Sequence, residues 1–346
     1  MTAAPLPDAR HSAFQALPQV DVAGLRSSDF HTREASARSL GNAARDAGFL
    51  YVTGHGVSPA VTDRFQARVR EYFGQSLDEK MRHYIGQSSN HSGYVPEGEE
   101  QFYGSKPDRK ETYDIGFDMH EPEHARPMLG PNQWPDMPGF KEDVKAYYDA
   151  VFELGNLLFR GFALALGLPE DNFTRRVNRP PSQLRLVHYP FNPKATDDAP
   201  GIGAHTDYEC FTILRPTAPG LEVLNGAGEW IDVPLVDDAF VINIGDMMEI
   251  LSNGQYLATK HRVKKVSEER YSFPLFCACN YDTVIEPVVH TEDSKYQALI
   301  GGEHLFNQTA QTFTYQKKRI ASGELVLKNA VPLSSFGLNE IAETLS

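Results

Sequence analysis

The chain has 346 residues, 41% hydrophobic and 23% charged, enough for a substantial buried core in one large domain or two smaller ones. Its net charge of −13, with no long basic run, argues against nucleic acid or an anionic membrane surface as a partner, so any anionic ligand must be captured by local cations. Three cysteines, an odd and small number, argue against a disulfide framework and fit a reducing compartment.

No segment has the basic start, apolar centre and small-residue cleavage site of a signal peptide. No uncharged apolar run reaches the ~18 residues that span a bilayer, so the cytoplasm is the expected location. No obligate protein partner is evident.

In chain order, residues 1–16 read as a leader. Thr32 is placed to cap a helix whose Ala37, Leu40, Ala44 and Ala47 share a face, and Gly48 ends it. Phe49-Leu50-Tyr51-Val52 reads as a short strand. Ser58-Pro59 then supplies cap and first-turn residue to a helix burying Val61, Phe65, Val69, Tyr72 and Phe73. Residues 85–140 are rich in Gly, Pro, His and Tyr without a sustained period, the pattern of a long functional loop. A long helix is expected over about 140–166, with Val144, Tyr148, Val151, Leu154 and Leu158 inward and Gly167 as its stop. From 183 to 290 short runs alternate every two residues between Gly, Pro and Asn turns, which predicts an all-β core; a two-sheet jelly roll is its simplest architecture. About 292–321 is expected to be helical, ahead of a tail containing Pro332 and Ser334-Ser335. The fold class is therefore mainly β with flanking helices. A helical region with a substrate-lining loop (17–182), a jelly-roll core (183–290) and a C-terminal helix and tail (291–346) form one catalytic unit, because no linker divides them.

Gly203-Ala204-His205-Thr206-Asp207 carries the chemistry, together with the distant His261. Two imidazoles and a carboxylate can occupy one face of an octahedral ion and leave three adjacent positions open, which suits ferrous iron that must activate dioxygen. Nine residues beyond His261, Arg270 with Ser272 offers a forked cation and a hydroxyl to a carboxylate. Alternation puts both on one strand face. Metal and anion receptor together point to an iron oxygenase that consumes a 2-oxo acid. Cys277-Ala278-Cys279 reads as two same-face strand residues, not a metal pair. His188 alternates away from Val187 and Tyr189, so it is expected to pack or hydrogen-bond and not to ligate. Arg185 and Arg215 are candidate binders of a substrate carboxylate.

From Leu184 to Pro287 the chain resembles the isopenicillin N synthase-like branch of the 2-oxoglutarate/Fe(II) dioxygenases. The residues that carry this are Leu184-Arg185-Leu186-Val187-His188-Tyr189-Pro190, Gly220-Leu221-Glu222-Val223, Glu229-Trp230-Ile231-Asp232-Val233, Asn243-Ile244-Gly245-Asp246 and Leu251-Ser252-Asn253-Gly254. Leu17-Pro18-Gln19-Val20-Asp21-Val22 and Gly48 through Val57 are similar to the family's N-terminal region, and the resemblance covers roughly 17–320. It implies Fe(II) held by His205, Asp207 and His261, with 2-oxoglutarate as cosubstrate and dioxygen as oxidant. It also implies Arg270 and Ser272 on the cosubstrate's distal carboxylate, with Tyr189 as a third contact. Many plant relatives have Asn-Tyr-Tyr-Pro where this chain has Val187-His188-Tyr189-Pro190; there it resembles isopenicillin N synthase itself, which uses no 2-oxo acid yet also carries Arg-x-Ser. Gly93-Tyr94-Val95-Pro96 and Lys110-Glu111-Thr112-Tyr113-Asp114 resemble substrate-lining segments, so Tyr94 and Tyr113 are expected at the substrate, with Phe211, Phe276 and the 305–315 helix completing the wall.

The expected activity is oxidation, by default hydroxylation, of a small molecule with release of succinate and CO2. A 2-oxo-acid-independent ferrous oxidase and a non-catalytic small-molecule binder on the same fold are the alternatives. Desaturation, ring closure and ethylene formation are family variants that the ligands do not distinguish.

Overall fold

The structure, a computed structural model, describes residues 12–100, 109–193, 200–289, 294 and 296–329. The leader over 1–11 and the tail with Pro332 and Ser334-Ser335 lie outside the described residues.

The first half supplies β1 (Gln19–Asp21), α1 (Phe30–Ala47), β2 (Phe49–Thr53), α2 (Pro59–Phe73), α3 (Leu77–Met81), β3 (Gly93–Val95), β4 (Glu111–Ile115) and α4 (Phe140–Ala165). The second supplies β5 (Gln183–Tyr189), β6 (Ile202–His205), β7 (Phe211–Pro216), β8 (Leu221–Leu224), β9 (Trp230–Asp232), β10 (Phe240–Ile244), α5 (Asp246–Leu251), β11 (His261–Val263) and β12 (Arg270–Cys277). A final hairpin of β13 (Val284–Ile285) and β14 (Leu299–Ile300) leads into α6 (Gly301–Thr312) and α7 (Thr314–Ser322).

Two sheets face each other as a jelly roll. The larger has eight strands in the order β1-β2-β10-β7-β12-β5-β4-β3, and the smaller has four, β6-β11-β8-β9. The outer strands of the larger sheet, β1, β2, β3 and β4, come from the region read as helical, so the β core extends beyond 183–290. The stretch 85–140 is accordingly not one long loop: β3 and β4 pair within it and β4 pairs with β5. Strands of three and five residues are too short to register as a period in sequence.

Helices cover the outer face of the large sheet. In α4, Val144, Tyr148, Val151, Leu154 and Leu158 are all buried as the 3.6-residue spacing predicts, and Gly167 takes the left-handed φ of 72° that ends it. Phe65 of α2 stacks on Tyr147 of α4 at 3.9 Å and meets Phe273 of β12 edge-on at 4.8 Å, locking both helices onto the sheet. The cap of α1 is Asp29, not Thr32; its carboxylate accepts from the Thr32 N–H at 2.8 Å. The C-terminal region is two helices that begin only at Gly301. Between them Phe313 bridges Glu100, while Thr314 N–H donates to the Glu99 carbonyl and Tyr315 N–H to the Glu99 carboxylate at 2.7 Å. Among the described residues no helix is long and apolar enough to cross a membrane.

Candidate active site

A cavity opens between the two sheets. Alternation decides what faces it. From β12 it receives Arg270, Ser272, Pro274 and Phe276; from β5 it receives Gln183, Arg185, Val187 and Tyr189. These strands are antiparallel, with Arg270 opposite Tyr189 and Phe276 opposite Gln183, so the cavity has two ends. At roughly 3.4 Å per residue they are about 20 Å apart.

His205, Asp207 and His261 meet between these ends, with one possible ligand atom from each lying within 4.8 Å of the others. The backbone creates this meeting: His205 ends β6 directly opposite His261 of β11. Asp207 sits in the turn that leads to β7, and that turn is gripped by the start of α5. Gly245 N–H donates to the Cys210 carbonyl at 3.0 Å and Asp246 N–H to the Asp207 carbonyl at 2.9 Å. A Cβ on Gly245 would lie 2.2 Å from the Glu209 carbonyl oxygen, so only glycine permits this approach.

Each of the three side chains turns one possible ligand atom toward the other two. His205 Nδ1 is engaged by the Gly203 carbonyl at 2.8 Å and His261 Nδ1 by the Thr259 carbonyl at 3.2 Å. Both Nε2 atoms therefore carry a lone pair toward Asp207 Oδ1, each 3.6 Å away. Asp207 Oδ2 accepts from Asn243 Nδ2 at 2.7 Å and from the Thr212 hydroxyl. Burial holds both imidazoles low, His261 at about 4, so they are neutral donors. Burial alone would raise Asp207, but His261, His205, Asn243 and Thr212 hold it below the usual carboxylate range. Two neutral nitrogens and an ionised oxygen, oriented by their outer hydrogen bonds, fit a divalent first-row metal.

At one end of the cavity Arg270 is only 1% exposed. Its Nε donates to the Ala218 carbonyl at 3.2 Å, its guanidinium lies on the Tyr189 ring at 4.6 Å, and its buried Nη1 has no acceptor. A buried guanidinium nitrogen without an acceptor, beside the Ser272 hydroxyl and among Val187, Ile202, Leu221 and Val263, fits a carboxylate held in an otherwise apolar sleeve.

The other end is polar and aromatic. Lys110 donates to Glu100 at 2.8 Å, and Arg185 reaches Glu100 at 3.2 Å and Asp114 at 2.9 Å. Arg185 also lies 5.7 Å from the Phe276 ring and 5.6 Å from Phe313. Thr309 and Thr312 of α6 and Phe313 close this wall, which places part of the expected 305–315 segment at the cavity. Glu209 also faces it; burial and the Asp207 charge push Glu209 up to about 8.

Several expected residues lie elsewhere. Tyr94 and Tyr113 do not line the cavity: they are in the helix-covered core, donating to Glu111 at 2.5 Å and to the Gln133 carbonyl at 2.8 Å and packing on Tyr72. Phe211 points to the opposite face of β7 and packs on Phe159 and Phe162 of α4, because Thr212 and Leu214 take the cavity phase. Arg215, one residue on from Leu214, opens on a separate surface cleft beside Arg70 and Asp238. His188 points away from the cavity, engaging Glu111 at 2.7 Å and also Glu269, and stacks on Tyr271 at 4.6 Å. β12 ends at Cys277, and Cys279 turns back to put its sulfur 3.7 Å from that of Cys210; all three cysteines are free and buried. Sequence reasoning missed Glu100, Glu209, Thr212 and the oxygen-orienting role of Asn243.

Comparison with known proteins identifies the family. Residues 17–137 match the family described as "non-haem dioxygenase in morphine synthesis N-terminal", and residues 180–278 match the 2OG-Fe(II) oxygenase superfamily. A homoarginine-6-hydroxylase of Oryza sativa subsp. japonica is 32% identical over 325 residues, 87% of this chain and 99% of that protein. A 2-oxoglutarate-Fe(II) type oxidoreductase of Emericella nidulans is 36% identical over 251 residues, 68% of this chain and 72% of that one. A full-length Neurospora crassa structure in complex with alpha-KG (2-oxoglutarate) and thymine superposes with a TM-score of 0.75 at 25% identity, over 87% of this chain and 98% of that chain. The chain belongs to the isopenicillin N synthase-like part of the 2-oxoglutarate/Fe(II) oxygenase superfamily, and is a 2-oxoglutarate-dependent dioxygenase using Fe(II).

Proposed function

We propose that this dioxygenase hydroxylates a small molecule, with His205, Asp207 and His261 holding Fe(II) and Arg270, Ser272 and Tyr189 holding 2-oxoglutarate. The observation that carries the reading is the pairing of three convergent ligand atoms with the orphaned Nη1 of Arg270 in one cavity. Bound there, the iron and 2-oxoglutarate supply the oxidising chemistry: one atom of dioxygen enters the substrate C–H bond, the other enters succinate, and CO2 leaves.

The chain contributes position and dryness. The Arg270 fork and the Ser272 hydroxyl orient the distal carboxylate, while the Tyr189 ring supports the guanidinium face. Val187, Ile202, Leu221 and Val263 keep water from the sleeve between anchor and triad. Substrate enters at the end bounded by Phe276 and Phe313. Relatives named as a hydroxylase of homoarginine, or solved with thymine, support a small substrate and hydroxylation. The free cysteines support a cytoplasmic setting.

Anaerobic Fe(II) titration with and without 2-oxoglutarate tests the reading. A metal-to-ligand charge-transfer band is expected only when both are present, and it is expected to vanish in His205→Ala, Asp207→Ala and His261→Ala together with turnover. Full turnover without 2-oxoglutarate would establish the 2-oxo-acid-independent oxidase instead.

A further inference from the structure

The charges at the substrate end do not cancel. Lys110 and Arg185 are matched by Glu100 and Asp114, two cations against two carboxylates in one network. Glu209 stands outside it. Its side chain lines the cavity, the residue is 7% exposed, and no Lys, Arg or His nitrogen lies within ion-pair distance of it among the described residues. The backbone N–H groups of Tyr208 and Glu209 reach its carboxyl group, but no cation among the described residues does; a buried carboxylate without a counter-charge is costly, and a fold retains one where a ligand supplies that charge.

Its position sets what that ligand does. Glu209 follows Asp207 by two residues on the turn that enters β7, so a group bound to it is held beside the triad. Phe276, Phe313, Met128 and Pro274 line the same cavity and offer apolar contacts to a hydrocarbon stem. The aromatic faces of Phe276 and Phe313 already accommodate the Arg185 guanidinium.

We propose that Glu209 anchors a cationic nitrogen of the substrate, an amine, amidinium or guanidinium, and that basic amino acids and related amines are the substrate class. This rests on the hydroxylase reading above. A cation set against Glu209 removes the isolation of the carboxylate. An N–H fork meets both its oxygens at once, and the stem is directed past the triad.

Two measurements keep the two levels apart. The charge-transfer band of the anaerobic Fe(II)/2-oxoglutarate enzyme reads metal and cosubstrate. Calorimetric titration with L-homoarginine, L-arginine, L-lysine and agmatine, against neutral L-citrulline, L-norleucine and thymine, reads Glu209 whether or not the band forms. At least one cationic probe is expected to bind ~10-fold or more tightly than the best neutral probe and to perturb the band. Glu209→Gln is expected to reduce that preference to within ~3-fold, and Glu209→Asp to restore part of it. Equal binding of charged and neutral probes, no binding of any cationic probe, or an undiminished preference in Glu209→Gln overturns the proposal. Absence of the band overturns the hydroxylase reading and leaves the calorimetry to decide the role of Glu209.

Discussion

The guanidinium of Arg270 rests on the ring of Tyr189 at 4.6 Å, and the two residues face each other across paired strands. The stack fixes the plane of the fork, so charge alone is not enough at position 270. Arg270→Lys is expected to raise the KM for 2-oxoglutarate at least ~10-fold, equivalent to ~1.4 kcal/mol. Tyr189→Phe keeps the ring and is expected to stay within ~3-fold, whereas Tyr189→Ala loses ~0.5–2 kcal/mol of cation–π support. An unchanged KM in Arg270→Lys with turnover intact would place the anchor elsewhere.

Asn243 and Thr212 together occupy Asp207 Oδ2 and so leave Oδ1 facing the His205 and His261 Nε2 atoms. Asn243→Leu or Thr212→Val leaves the carboxylate free to rotate. Fe(II) affinity, read by anaerobic titration, is expected to fall ~10–100-fold in each. Wild-type affinity in both variants would show that the turn alone sets the geometry.

Arg185 is the only residue of its network that touches both Glu100 and Asp114 among the described residues. Arg185→Met leaves both buried carboxylates short of a cation, and urea unfolding is expected to show a loss of ~3–5 kcal/mol. A loss below ~1 kcal/mol would mean that Lys110 suffices for the pair.

Two buried histidines make stability fall in mild acid. Burial, aided by the Arg185 charge, pushes His91 down to about 3, and burial pushes His304 down to about 4. Their unfolded value is near 6.5. Below that pH the unfolded chain takes up protons that the folded chain refuses, so the contribution is complete above pH ~6.5 and is lost as pH falls toward 4. Each contributes a slope approaching ~1.4 kcal/mol per pH unit between pH ~6 and 5. His304→Gln should remove one such slope from urea-unfolding curves at pH 7, 6 and 5; parallel pH dependence in mutant and wild type would contradict it.

The triad was legible because spacing along one chain and a family resemblance both name His205, Asp207 and His261. Arg270, Ser272 and Phe276 were legible because alternation in one long strand needs no knowledge of its neighbours. Phe211 shows the limit: a one-residue change of phase exchanges the cavity for the helix layer, and only Thr212, held by Asp207, reveals the phase of β7. Tyr94 and Tyr113 sit in strands too short to show a period, and the residue that packs on them, Tyr72, belongs to a separate helix. Glu209 was invisible because lacking a cationic partner depends on three-dimensional neighbours, which no local pattern encodes. That β2 and β4 belong to the large sheet was hidden in the same way, since their partners β10 and β5 lie more than a hundred and about seventy residues downstream.

The docking of Glu99 and Glu100 onto Phe313, Thr314 and Tyr315 joins two segments, neither of which contributes to the triad or to the Arg270 sleeve. Both segments do contribute to the far wall, through Glu100 and Phe313. Substitutions in this clasp can therefore reshape which molecule is accepted while the oxidising apparatus is left intact. That modularity gives a lineage of such enzymes room to diversify its substrates by drift in two peripheral stretches, and gives an engineer a short contiguous patch to randomise.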